Sequence, residues 1–356
     1  MNEPRQSARR IPVNLLTGFL GSGKTTLLKR LLGNPAFVHC AVLINELGEA
    51  GLDHRLLERI DHETVVLQNG CICCSVRDDL RQALLDLYER RQRNQVPAFD
   101  RVIIESTGLA DPGPVLNTVA GDPVLRHHFR LGNVVTTIDA VHAPEQFARQ
   151  AEARRQAAIA DRLVITKADL VDAGQIEAVR QALRHINPSA WLAVSRDDAG
   201  DAQILLSEDL DEPAARIDEV RRWFPQASLA AGATNAASAR YRAFGREPED
   251  PHRGDISTLS LTFAEPIEWV AFGVWLSMLI HSRGADILRI KGILNVRGSE
   301  LPLVIHGVQH LIHAPVHLSA WPDGERRSQL VLIGRLPPRA QIEASVQAFD
   351  FHGGCN

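Results

Sequence analysis

Two clusters in this chain have residue types and spacings that can do chemistry. The first is Gly18-Phe-Leu-Gly21-Ser22-Gly23-Lys24-Thr25-Thr26. Glycines so spaced let the backbone turn tightly and aim N–H groups at phosphate oxygens. A helix starting at Lys24 adds the positive end of its dipole. Lys24 can then reach the β- and γ-phosphates of a nucleoside triphosphate, and the Thr25 hydroxyl can ligate Mg²⁺. The flanks agree: Ile11–Leu16 is an apolar strand pattern and Thr26–Leu32 an apolar helical one. With spacing and context both satisfied, a chance glycine-rich turn is a poor alternative.

The second cluster is Asn69-Gly70-Cys71-Ile72-Cys73-Cys74. Three soft sulfur ligands this close suit Zn²⁺ or Cu(I) and disfavour Mg²⁺. A three-ligand site leaves one coordination position open, as exchange or delivery requires. A helix start would lower the thiol pKa values and favour capture at neutral pH. A redox dithiol and inert buried cysteines are the competing readings. Cys40, beside Ala41 and Val42, reads as core, and Cys355 as a free thiol in the tail.

Other segments extend the nucleotide reading. The apolar run Arg101–Ile104 ends in Glu105, and Gly108 follows. A carboxylate there can hold Mg²⁺ and a glycine N–H can sense the γ-phosphate, so Lys24, Thr25 and Glu105 are the expected catalytic groups. Thr166-Lys167-Ala168-Asp169 closes a later apolar run. Its carboxylate can accept from guanine N1–H and N2–H while the lysine stem packs along the base. Adenine lacks both donors and would leave the carboxylate unsatisfied. Thr166 stands where many GTPases have Asn. Asn45–Asp53, with its glycines and acids, reads as a segment that orders around Mg²⁺ and the γ-phosphate. No water-positioning glutamine follows Gly108, which predicts slow intrinsic turnover.

These residues need a scaffold, and the pattern supplies one. Strand-like runs at Pro12–Leu16, Ala41–Ile44, Thr64–Leu67, Arg101–Ile104, Asn133–Ile138 and Arg162–Ile165 alternate with helical patterns such as Val76–Arg91. That alternation predicts an α/β fold: a doubly wound, mostly parallel P-loop sheet with ligands at the carboxyl ends of the strands. Its expected extent is 11–226, after a flexible N-terminus 1–10. Residues 227–254 are small, polar and aperiodic and read as a linker. From 255 to 350 a smaller α+β domain is expected: a strand Ile256–Phe263, a helix from Pro266, strands Ile287–Val296, Pro302–Ile312 and Gln329–Gly334, and a helix Arg339–Phe349. A tail, 351–356, follows.

Bulk numbers exclude several classes. The 356 residues carry 39 Lys and Arg against 43 Asp and Glu, a net charge of −4, which argues against a general nucleic-acid binder. A hydrophobic content of 45% argues for a globular chain rather than a disordered one. No apolar run reaches membrane-spanning length, and neither a membrane span nor a signal peptide is read, so a cytoplasmic location is expected.

In this order the motifs resemble the CobW-like GTPases, a metallochaperone family of the SIMIBI class that includes proposed zinc chaperones. The matching residues are Gly18–Thr26, Asn45-Glu46 through Asp53, Gly70–Cys74, Glu105–Gly108 and Thr166–Asp169. In the second domain they are Arg289–Leu294, His306–His310, Trp321 and Val331–Arg335. The resemblance runs from about Ile11 to Phe349, and the triple-cysteine cluster is its most specific part. It implies GTP hydrolysis with Mg²⁺, a transition metal on the cysteines (zinc first, cobalt or iron as alternatives) and a metal-dependent client protein, with a nucleotide-dependent homodimer also in view. Many members carry a histidine-rich stretch between the domains; here only His252 lies there, which argues against a large storage capacity. His306, His310, His313 and His317 read as surface or client-contact histidines, with auxiliary metal contact as the alternative. On one continuous strand His306 and His310 would share a face and His313 would oppose them. Two further functions stay open: a P-loop small-molecule kinase or ligase with structural cysteines, and a regulatory GTPase with incidental metal.

Overall fold

The computed structural model describes residues 10–37, 39–44, 65–68, 76–195, 217, 220, 221, 223, 241–244, 256–322 and 324–349. The chain divides into two compact units: Met1–Gln156 with Ala160–Ile176 and Leu192–Leu206, and Ala157–Ile159 with Glu177–Trp191 and Ser207–Asn356.

The first unit is built on strands β1 (Ile11–Gly18), β2 (Cys40–Ile44), β3 (Val65–Gln68), β4 (Arg101–Glu105), β5 (Phe129–Asp139), β6 (Arg162–Thr166) and β7 (Trp191–Val194). They lie in the order β3-β2-β4-β1-β5-β6-β7, and the pairings among β1 to β6 are parallel. Parallel strands covered on both faces must be apolar throughout, and β1, β2, β4 and β6 are nearly all buried. Helix α1 (Lys24–Leu32) buries Leu27, Leu28, Leu31 and Leu32. Helix α2 (Val76–Gln92) buries Leu80, Ala83, Leu84 and Leu87, the one-sided spacing expected of it. Helix α3 (Pro112–Gly121) has Pro112 in its first turn and is capped by Asp111, whose carboxylate accepts from Gly113 N at 2.9 Å. Three short helices follow, α4 (Leu125–His128), α5 (Ala143–Arg149) and α6 (Ala151–Ile159); α7 (Ala173–Ile186) comes next, and its residues from Glu177 on are counted with the second unit.

Strand β5 begins four residues before the expected Asn133. Its pairing with β1 slips between Val13 and Leu15, and Asn14 Oδ1 accepts from Asn133 N at 2.9 Å. Gly132 and Asn133, residues that ordinarily signal a turn, here accommodate a bulge inside a long strand.

The second unit contains β8 (Tyr241–Phe244), β9 (Ser257–Phe263), α8 (Trp269–Arg283), β10 (Ile287–Leu294), β11 (Leu303–Val308), β12 (Leu311–Ile312), β13 (Val316–His317), β14 (Ser328–Gly334) and α9 (Arg339–Ala348). Its antiparallel sheet runs β12-β11-β10-β14-β9-β8, with β13 also on β11. Leu259, Leu261, Phe263, Ile290, Leu330 and Leu332 pack with Phe272, Trp275, Ile342 and Val346 of the two helices. Trp275 Nε1 donates to Ser345 Oγ at 3.0 Å, which satisfies the buried indole and ties α8 to α9.

Three expectations are corrected here. The stretch read as an unstructured linker contributes β8, which pairs with β9 from Tyr241↔Phe263 to Phe244↔Ser260. Helix α8 starts at Trp269, not at Pro266. Ile267 N donates to Asn295 O and its carbonyl accepts from Arg297 N, which holds the chain extended until Glu268 caps Val270 N and Ala271 N. The segment Pro302–Ile312 is a hairpin of β11 and β12, reversed where Gln309 takes φ 52°. Among the described residues no helix is long and apolar enough to cross a membrane.

Candidate nucleotide site

Strands β1, β4, β5 and β6 end at Gly18, Glu105, Asp139 and Thr166, so the predicted phosphate and base residues share the carboxyl edge of one parallel sheet. Gly18 has φ 141°, and a Cβ there would collide with the Thr137 carbonyl and the Ser22 hydroxyl, so the loop demands glycine. Ser22 Oγ and Thr137 Oγ1 share a hydrogen bond of 2.7 Å that clamps the loop to β5. Gly23, left-handed at φ 87°, precedes the first turn of α1, and no side chain caps that turn. Without a side-chain cap, the N–H groups of that turn and the helix dipole suit an anion. The buried Lys24 ammonium donates to the Gly18 and Phe19 carbonyls at 3.0 and 3.1 Å.

Thr25 Oγ1 donates to Glu105 Oε1 at 2.6 Å, and Glu105 is 5% exposed. A hydroxyl and a carboxylate brought together beside a phosphate loop are hard oxygen donors, and they fit Mg²⁺. Ser106 Oγ bonds Thr17 Oγ1 at 2.8 Å and Ser106 N donates to Leu16 O, anchoring the turn after β4. A Cβ on Gly108 would lie 2.6 Å from Leu20 N and 2.7 Å from its Cα, so the two loops touch backbone to backbone. From α6, Gln156 Nε2 donates to the Gly108 and Ala110 carbonyls at 3.1 and 3.0 Å, and Arg155 pairs with Asp111 at 2.6 Å. Gln156 thus acts as a clamp on the loop's carbonyls.

At the end of β6, the Thr166 hydroxyl lies 2.7 Å from the Ser22 carbonyl and 3.1 Å from that of Ile138, binding β6 to the phosphate loop. Lys167 takes φ 54°, and its ammonium contacts Asp139 Oδ2 at 2.7 Å; Asp169 is exposed in the next turn. Burial alone would raise the Asp139 pKa. Hydrogen bonds from Lys167, His142 and the Val141 N–H outweigh it, and the carboxyl stays below the ordinary Asp value. Sequence reasoning missed Asp139, although Val-Thr-Thr-Ile-Asp139 repeats the pattern of an apolar strand closing on an acid that marks Glu105.

Residues 12–193 match the family described as CobW/HypB/UreG, nucleotide-binding domain, and residues 256–350 the cobalamin synthesis protein cobW C-terminal domain. The chain belongs to the CobW family of P-loop GTPases. It is 32% identical over 335 residues to the zinc chaperone YjiA of Escherichia coli, covering 94% of this chain and 97% of the relative. It is 30% identical over 351 residues to the zinc-regulated GTPase metalloprotein activator 1 of Schizosaccharomyces pombe, covering 91% and 82%. The crystal structure of Zn(II)-bound YjiA GTPase superposes with a TM-score of 0.67 at 28% identity, over 96% of this chain and 99% of that one.

Against the rest of the CobW reading, Cys71, Cys73, Cys74 and Asn45–Asp53 lie outside the described residues. Among the described residues no group of three His, Cys, Asp or Glu could hold a metal. Cys40 is buried and its thiol is pushed up to about 12, chiefly by desolvation, as suits an inert core residue. His306 and His313 do not oppose one another as a single strand would require. The β11–β12 hairpin stacks their rings at 3.8 Å, while His310 and His317 are exposed.

Proposed function

We propose that this chain is a GTP-hydrolysing metallochaperone that binds zinc through Cys71, Cys73 and Cys74 and passes it to a client protein, with hydrolysis coupled to metal affinity. The observation that carries the nucleotide half is the 2.6 Å contact between Thr25 and Glu105, beside a Gly108 pressed on the phosphate loop. Thr25 and Glu105 would hold Mg²⁺, which when bound neutralises phosphate charge. Lys24 and the loop N–H groups bind the triphosphate and stabilise charge on the γ-phosphoryl group. Water attacks the γ-phosphorus and the bond to the β-phosphate oxygen breaks, releasing GDP and inorganic phosphate. The lysine stem of Lys167 and the carboxylate of Asp169 select guanine, while Thr166 holds their loop against Ser22.

The metal half is supported by the zinc chaperones among the relatives and by the place of the thiols in the chain: β3 ends at Gln68 on the edge that carries Gly18 and Glu105, and Cys71 follows three residues later. A Zn(II)-bound YjiA variant with one glutamate and two cysteines replaced by alanine has also been crystallised, so the test must read affinity rather than mere presence of zinc. Zn²⁺ affinity is measured with a GTP analogue, with GDP and without nucleotide. A difference of about 5- to 150-fold between nucleotide states is expected for a coupling of useful size. Equal affinities in all three states remove the coupling, and a Cys73→Ser protein with wild-type zinc affinity removes the site.

A further inference from the structure

We infer that Asp139 is a positioning residue for the guanine end of the nucleotide site, pinning Lys167 so that its stem can flank the base. The inference rests on the reading of Lys167 and Asp169 as the base-selecting pair.

Asp139 is the last residue of β5 and lies in register with Thr166, the last residue of β6. The backbone joins them as well: Ala140 N donates to the Thr166 carbonyl at 3.0 Å. The carboxylate is oriented before it meets Lys167. Its Oδ1 accepts from Val141 N at 2.9 Å and lies 3.4 Å from His142 N, both in the turn that follows β5. That leaves Oδ2 facing the Lys167 ammonium at 2.7 Å, with His142 Nδ1 at 2.8 Å as its second contact. The Asp139 side chain is only 2% exposed while that of Lys167 is 34% exposed, so a fixed, dry carboxylate holds the tip of a partly free lysine.

The lysine needs such a hold. Its φ of 54° is a backbone region that residues with a Cβ seldom adopt, and it directs the side chain away from where an ordinary turn would send it. A four-carbon stem also has many rotamers, and ordering it on nucleotide binding costs entropy unless one rotamer is already selected. A charged, buried anchor at the tip selects that rotamer before the base arrives. The bond therefore contributes through pre-organisation of the base-binding surface.

Lys167→Met gives the sharpest test, because methionine keeps an apolar stem of similar length and removes only the ammonium that Asp139 holds. Lys167 is partly exposed, so this protein should fold. Fluorescent mant-GDP titration and steady-state GTP hydrolysis are measured for wild type, Lys167→Met, Asp139→Asn and the double variant. Each single variant should bind mant-GDP about tenfold more weakly and raise KM for GTP by a similar factor, with kcat moving less than twofold; the double variant should be no worse than either. A Lys167→Met protein that binds like wild type overturns the inference, as do losses that add in the double variant. Asp169→Asn separates the two levels. Xanthine carries a carbonyl where guanine carries its 2-amino group, so this variant should shift preference from guanosine to xanthosine diphosphate. If that preference does not shift, the base-site reading itself fails. If it shifts while Lys167→Met stays silent, only the role of Asp139 is lost.

Discussion

Thr25 Oγ1 donates to Glu105 Oε1 across 2.6 Å, so the residue after the phosphate-loop lysine is bonded to the last residue of the neighbouring strand β4. Eighty positions apart in the chain, the two meet because β1 and β4 pair in parallel with Leu16 opposite Glu105. Glu105→Gln keeps an oxygen that can accept from Thr25 and removes the charge. The variant should therefore fold with a melting temperature near wild type and lose about 10- to 100-fold in GTP turnover, with a raised Mg²⁺ requirement. Phosphate release across a Mg²⁺ titration checks this, and an unchanged Mg²⁺ midpoint would remove Glu105 from the metal.

Gly108 carries the second prediction. A methyl group there would sit 2.6 Å from Leu20 N, and the obstacle is backbone, which cannot rotate aside as a side chain could. Gly108→Ala should push the loop after β4 off the phosphate loop, at about 1–3 kcal/mol of stability, and slow hydrolysis more than it weakens GDP binding. Urea unfolding together with single-turnover hydrolysis measures both effects.

Much of this site was legible in the sequence. The glycine spacing before Lys24, the acid closing β4 and the alternation of apolar strands led directly to the sheet and its carboxyl edge. Long-range partners were not legible. Gln156 sits mid-helix with nothing in its neighbours to announce that its amide crosses to Gly108 and Ala110. Asp139 closes an apolar strand as Glu105 does, but it belongs to no short motif that would single it out. In the second unit, Gln309 and His310 lack the glycine or proline that marks a tight turn, so β11 and β12 read as one strand.

Gln156 tests the clamp on the loop. Its amide satisfies two carbonyls from a position only 1% exposed. Gln156→Leu, similar in size, leaves the buried Gly108 carbonyl and the partly buried Ala110 carbonyl without this donor, and a buried unsatisfied group costs about 1–3 kcal/mol. A loss of about 2–4 kcal/mol is expected, with faster proteolysis at residues 106–111. A neutral outcome in urea unfolding would mean that the loop carbonyls find other donors.

His306 supplies the pH dependence. It keeps some exposed surface, yet its Nδ1 is buried with no hydrogen-bond partner among the described residues, and its ring stacks on His313. Burial first, then the charges of His313, Arg289 and Lys291, hold it well below the ordinary histidine value of 6.5. In the window between the folded and unfolded values the unfolded chain binds the extra proton, so acid favours unfolding. The contribution of His306 is thus intact above about pH 6.5 and is lost as pH falls below it, by up to about 1.4 kcal/mol per pH unit. His306→Asn removes the titrating ring, so the gap in unfolding free energy between wild type and variant should shift against wild type by about 1 kcal/mol between pH 7 and pH 5.5. Denaturant unfolding at a series of pH values decides it, and parallel profiles would show that the stacked ring takes up its proton in the folded protein as readily as in the unfolded chain.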